Sequence, residues 1–356
     1  ACQHRADRGR RPPAAPPGDP RMTRVVLACP GRGAYGPAAL GSLPREHPWL
    51  DAAHELRSGL GLPSLSELDA ATSFDPAQHL RPANAAPLTY LVTLLDAARA
   101  AEDHEVVAVA GNSFGWQSAL GVAGALSFED GFRLVQQLAL LGERALPESA
   151  AGGQVVYPLT DAAWHPDPAL RSAVEVALSH VNGDAHTSIE LGGYVMLAGT
   201  ETGVGKLLAN LPEVRVGEQV YPLRSSVASP SHTPLAGELA SAARGLLDDL
   251  AWREPAITLI DGRGARWTPW STDPGALAEY TLGEQLTAPY RFATSIRVAL
   301  REYAPDLLLL PGPGNTLGAI CGQIVVAEGY RRIRSRKGFE AAQSGRRPIV
   351  VSMRPR

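Results

Sequence analysis

Apolar positions along this chain fall into two kinds of pattern. Short unbroken apolar runs at 25–29, 106–110 and 307–310, the last within the strand expected at 306–310, each followed closely by glycine, predict strands buried on both faces. Longer stretches with apolar residues at helical spacing predict helices at 48–60, 64–72, 87–101 and 131–145, the last with Ser127, Glu129 and Asp130 at its start. Strands of the first kind alternating with helices predict a parallel α/β sheet.

The pattern changes near residue 152. Strand-like pieces at 154–159, 187–191, 194–198 and 219–223 are interleaved with helical stretches at 168–178 and 202–211. That order, strand–helix–strand–strand–helix–strand, predicts a small α+β insert of the split βαβ type. The first style then returns with a helix at 235–250, a strand at 256–259 and mostly helical residues at 276–302. The expected organisation is one large α/β domain from 22–151 and 223–330, interrupted by a subdomain at 152–222. Residues 1–21, rich in proline and arginine without an apolar core, read as a disordered tail, with Met22 a candidate start. Residues 331–356 read as a solvated basic C-terminal tail.

Composition narrows the class. The 356 residues, 45% hydrophobic, suffice for one large core and a smaller one, and a net charge of −3 offers no attraction for nucleic acid or a membrane surface. The longest apolar runs are strand-sized, so no membrane span is expected. Cys2, Cys29 and Cys321 are far apart and match no metal spacing, which fits a reduced, cytoplasmic setting and calls for no metal or other cofactor.

The chemistry concentrates at 106–121, VVAVAGNSFGWQSALG. Gly111-Asn112-Ser113-Phe114-Gly115 fits G-x-S-x-G between a strand and a helix of small residues. In such an elbow the glycines allow a sharp reversal that exposes the serine, and the following helix aims its N–H groups at charge developing there. A serine nucleophile needs a base. Of the nine histidines only His232, in Ser231-His232-Thr233-Pro234-Leu235, stands at a turn leading into a helix downstream of the insert.

These segments together resemble the malonyl-CoA:acyl-carrier-protein transacylases and the acyltransferase domains of polyketide and fatty acid synthases. Cys29-Pro30-Gly31-Arg32-Gly33 is similar to their F-P-G-Q-G, the elbow to G-H-S-x-G, and residues 124–130 (GALSFED) to the segment that follows it. YVMLAG at 194–199, SHTPL at 231–235, PYRF at 289–292 and GPGNTL at 312–317 match further family segments in order, over about residues 24–325.

The resemblance implies an α/β-hydrolase-like large domain with a ferredoxin-like α+β subdomain inserted. It implies Ser113 as the acylated nucleophile and His232 as its base, held by backbone carbonyls, with Asn315 nearby. Backbone N–H groups of Phe114 and Arg32 would form the oxyanion hole. The implied reaction moves an acyl group from a CoA or carrier thioester, through an acyl-serine, to an acyl-carrier-protein thiol in polyketide or fatty acid biosynthesis. The alternatives are an acyl-thioester hydrolase that proofreads carriers and a non-catalytic member that binds a carrier protein or synthase.

Three departures bear on the substrate. Asn112 replaces the histidine before the nucleophile. Trp116 replaces a glutamate and is expected as a large apolar group in the substrate site. Where extender-unit transferases carry a carboxylate-binding arginine, this chain has Leu138, or Gln137 one register off. Arg133 and Arg144 point roughly 140° and 120° away from position 138 on a helix. An unpaired carboxylate is costly to enclose, so the sequence points away from malonyl selectivity and toward acetyl, propionyl or a longer uncharged chain.

Overall fold

A computed structural model of the chain describes residues 22–144, 152–225 and 229–354; the tail expected over 1–21 lies outside them. The main sheet has six strands in the order Arg266–Trp267, Leu259–Ile260, His104–Gly111, Thr23–Cys29, Leu307–Leu310 and Val350–Ser352. Every neighbouring pair is parallel except the first. Val25 through Cys29, at the centre, are wholly buried, as a parallel strand covered on both faces requires. Register sets Cys29 opposite Gly111. The turns after these two strands therefore emerge side by side at the carboxyl end of the sheet, where open α/β sheets hold their ligands.

The helix before the elbow strand runs over Pro82–Asp103, starting earlier than the expected 87. Pro87 sits inside it without an N–H to give to the carbonyl of Ala83. That carbonyl is taken instead by Arg57 Nη1 at 2.6 Å and Gln136 Nε2 at 3.1 Å. Arg57 is fully buried and also binds the side chains of Gln136 and Asn84 and the Pro63 carbonyl. Four neutral acceptors thus hold one buried cation, and desolvation pushes its pKa down to about 10.

The insert forms a four-stranded antiparallel sheet, ordered Ala185–Glu190, Tyr194–Thr200, Gly152–Pro158, Leu223–Arg224. Helices Pro168–Ser179 and Glu201–Asn210 contribute Val174, Ala177, Val204 and Leu207 to its core. This is the ferredoxin-like arrangement. The strand expected at 219–223 divides around Pro222: Gln219–Tyr221 pairs with Val214–Val216, and Leu223–Arg224, just past the expected boundary, completes the sheet.

The C-terminal stretch is no tail. Helix Arg336–Gln343 buries Phe339 against Trp164, and Val350–Ser352 adds a strand beside Leu307–Leu310. Arg354 grips both carboxylate oxygens of Asp96, whose Oδ2 also accepts the Gly312 N–H at 3.0 Å. Ser352 Oγ donates to the Gly314 carbonyl. The segment therefore braces the Gly-Pro-Gly loop. Among the described residues no helix is long and apolar enough to cross a membrane.

Candidate active site

The elbow depends on its two glycines. A Cβ on Gly111 would collide with the Gly115 backbone, and one on Gly115 with the Cys29 carbonyl. Ser113 between them adopts a left-handed φ of 56°. Such backbone costs on the order of 1–3 kcal/mol and persists only where the surroundings enforce it. Here Gln285 Nε2 donates to the Ser113 carbonyl, Tyr290 Oη donates to the Gly111 carbonyl, and Asn112 N–H donates to Cys29.

His232 is also left-handed, with a φ of 59°, and only 2% exposed. Its Nε2 lies 2.6 Å from Ser113 Oγ and its Nδ1 lies 2.6 Å from the Gln285 carbonyl. A carbonyl can only accept, so Nδ1 carries the proton and Nε2 turns its lone pair to the serine hydroxyl. The Leu286 carbonyl accepts the His232 backbone N–H. The turn between helices Pro274–Leu282 and Phe292–Val298 thus holds both partners.

Burial pushes the His232 pKa from an ordinary 6.5 down to about 4, the Gln285 carbonyl opposes that shift, and nearby Arg32 adds to it. The imidazole is therefore neutral at neutral pH. We expect kcat/KM of the free protein to stay level from pH 8 to pH 5 and to fall with an acid limb near pH 4, measurable in a thioester assay over pH. Stability has the matching sign. The unfolded chain takes up this proton near 6.5 and the folded chain only near 4. The contribution is complete above 6.5 and declines as pH falls toward 4.

Two cavities meet at Ser113. One, of about 60 Å³, is walled by Ala86, Phe114, Val135, Leu138, Ala139, Leu239 and Leu286, with Gln117, Ser229, Ser231, Gln285 and His232 as polar lining. The other, of about 190 Å³, lies between the main sheet and the insert and is lined by Asn112, Gln154, Ile189, Met196, Thr316 and Leu317 among others. Arg32 borders both and makes no hydrogen bond or ion pair among the described residues. Burial lowers its pKa. The backbone N–H groups of Arg32 and Phe114 likewise donate to no protein acceptor among the described residues.

No protein-family model matches the chain. It is 26% identical over 308 residues to the malonyl CoA-acyl carrier protein transacylase of Salmonella typhimurium, across 85% of this chain and 94% of that protein. The chain is thus similar to the malonyl-CoA:acyl-carrier-protein transacylases. The fold agrees. An acyl-carrier-protein S-malonyltransferase from Burkholderia pseudomallei superposes with a TM-score of 0.72 at 20% identity, over 94% of this chain and 97% of that one. The acyltransferase domain of the second module of the salinomycin polyketide synthase gives 0.68 at 20% identity, over 94% and 70%.

The geometry places the expected site residues as follows. Ser113, His232, Phe114, Arg32, Asn112 and Leu138 meet around the two cavities. Trp116 does not. It is wholly buried, its Nε1 donates to Thr281 Oγ1 at 3.0 Å, and it packs edge-on against Tyr280. As the next residue after Gly115 it leaves the elbow on the core side of the helix, lining neither cavity. Gln137 lies half-buried on the same helix as Leu138 but outside the lining, whereas Leu138 lines the chamber. Asn315, expected near the histidine as a substrate-binding residue, is exposed with its side chain against Gly318 and lines neither cavity; the carbonyl that holds the histidine is that of Gln285. Sequence reading missed Gln285 and Gln117. The first holds His232 through its backbone carbonyl, which has no side-chain signature, and its side chain meets the Ser113 carbonyl from 172 residues away along the chain. The second was legible only as one position after Trp116 on the elbow helix.

Proposed function

We propose that the protein is an acyltransferase that moves a short acyl group from a CoA or carrier thioester to an acyl-carrier-protein thiol, through an acyl-Ser113 intermediate, in fatty acid or polyketide biosynthesis. The observation that carries this reading is the Ser113–His232–Gln285 alignment at an elbow opening onto two cavities. His232 Nε2 takes the serine proton as Oγ attacks the thioester carbon. The oxyanion falls to the N–H groups of Phe114 and Arg32. The C–S bond breaks, the proton passes from Nε2 to the departing thiolate, and an ester remains on Ser113. The carrier thiol reverses these steps, giving its proton to Nε2 and receiving the acyl group.

A histidine this hard to protonate favours prompt transfer of the proton to the leaving sulfur, since its imidazolium has only a carbonyl and no carboxylate behind it. The unpaired Arg32 guanidinium beside Ser113 favours the same transient negative charge on oxygen and sulfur. The inter-domain cavity gives a thiol-bearing arm a route to Ser113. The chamber walled by Val135, Leu138 and Ala139 takes the acyl group, and its volume of about 60 Å³ suits a few heavy atoms rather than a long chain. With Leu138 at 8% exposure on that wall, the chamber favours an uncharged acyl group over malonyl. The buried free thiols Cys29 and Cys321 fit a cytoplasmic location.

Initial rates measured against both acyl-CoA and holo-acyl carrier protein test the reading. Parallel double-reciprocal lines with acyl carrier as product are expected. Water as the main acceptor would identify a hydrolase, and no turnover of any thioester would leave a binding role.

A further inference from the structure

We propose that Gln117 selects the acyl group, so that the chamber takes a short acyl chain bearing an uncharged hydrogen-bonding substituent such as a hydroxyl or a carboxamide. This deepens the acyl-transfer reading and rests on it. Gln117 stands four residues after Ser113 on helix Gly115–Val122, on the nucleophile's side of that helix. It is 7% exposed and lines the chamber, yet its carboxamide makes no hydrogen bond to the protein among the described residues. Its flanking neighbours Trp116 and Ser118 are wholly buried on the core side.

The other uncharged polar groups of the chamber are engaged or sealed, and the Arg32 guanidinium, without a partner among the described residues, stands where the two cavities meet. Ser229 and Ser231 pair with each other at 2.7 Å, His232 is held by Ser113 and Gln285, and Gln285 Oε1 has no partner but is closed off from the cavity. Gln117 is thus the amide left to meet whatever fills the space. Opposite it stand Val135, Leu138 and Ala139, one apolar stripe of helix Phe128–Arg144. An unsubstituted acyl group filling this space would strand the amide without water or partner. A carboxylate would be charged against an apolar wall, with the one lining cation, Arg32, shared with the second cavity at the mouth. A hydroxyl or carboxamide satisfies the glutamine without bringing a charge.

The test is the rate at which Ser113 is acylated by propionyl-CoA, 3-hydroxypropionyl-CoA and malonyl-CoA, followed by intact-protein mass. Wild-type protein is expected to load 3-hydroxypropionyl about tenfold or more faster than propionyl, with malonyl slowest. Gln117→Leu is expected to erase that gap by slowing the hydroxylated donor and speeding propionyl, since no amide is left to strand; Gln117→Met provides the same arm if the leucine variant misfolds. Equal or faster loading of propionyl by wild type, or malonyl loading first, overturns the proposal while leaving acyl transfer standing. No adduct from any of the three overturns both.

Discussion

Ser113→Ala is expected to abolish the covalent intermediate and lower thioester turnover by about 10⁴- to 10⁶-fold, the range seen when a serine nucleophile is deleted from its catalytic unit. The substitution removes one oxygen. Alanine meets the same left-handed backbone restraint as serine, and the contacts that enforce it come from Gln285, Tyr290 and Cys29 rather than from Oγ. His232 loses its partner on Nε2 but keeps the Gln285 carbonyl on Nδ1. The variant should therefore melt within a few degrees of wild type while its activity vanishes. Comparable residual turnover in Ser113→Ala and wild type, in a preparation of equal stability, would mean that the chemistry lies elsewhere.

The second large effect concerns charge in the acyl chamber. Leu138→Arg places a guanidinium on the wall of a cavity of about 60 Å³ in which Leu138 is now buried. No carboxylate lines that cavity, so the unliganded variant should be less stable by several kcal/mol, as for other unpaired buried charges. Malonyl-CoA supplies the missing partner. We expect the ratio of malonyl to propionyl loading to rise about 10²-fold, and malonyl-CoA to raise the melting temperature of the variant more than that of wild type. The arginines already on this helix do not substitute. Arg133 is tied to Asp249 at 2.7 Å outside the chamber, and Arg144 is exposed at the helix end. A wild-type protein that already loads malonyl fastest, with Leu138→Arg slower, would contradict the account of this wall.

Much of this arrangement was legible in the sequence because its causes are local. The glycines of the elbow, the apolar runs on either side of it and the change of pattern at 152 each follow from backbone sterics or burial. The parts that stayed hidden depend on what packs against them. Residues 331–356 look like a basic tail because arginines outnumber the short run Ile349-Val350-Val351, yet that run suffices for an edge strand once Leu307–Leu310 offers an unpaired edge. Trp116 reads as an active-site group by adjacency to the nucleophile. Its true direction is fixed by Tyr280 and Thr281, more than 160 residues away along the chain. The helical stretch at 276–302 conceals breaks at Gly283 and Ala288, and those breaks carry Gln285 and Tyr290 to the elbow. A carbonyl that holds a histidine has no residue signature at all.

The central claim is that Ser113 carries the acyl group. Brief incubation of the full chain with propionyl- and 3-hydroxypropionyl-CoA, followed by intact mass and peptide mapping, tests it most directly. The account predicts one acyl increment on the peptide containing Ser113, discharged by a holo-acyl carrier protein. An increment on another residue, or none while thioester is consumed, would contradict it.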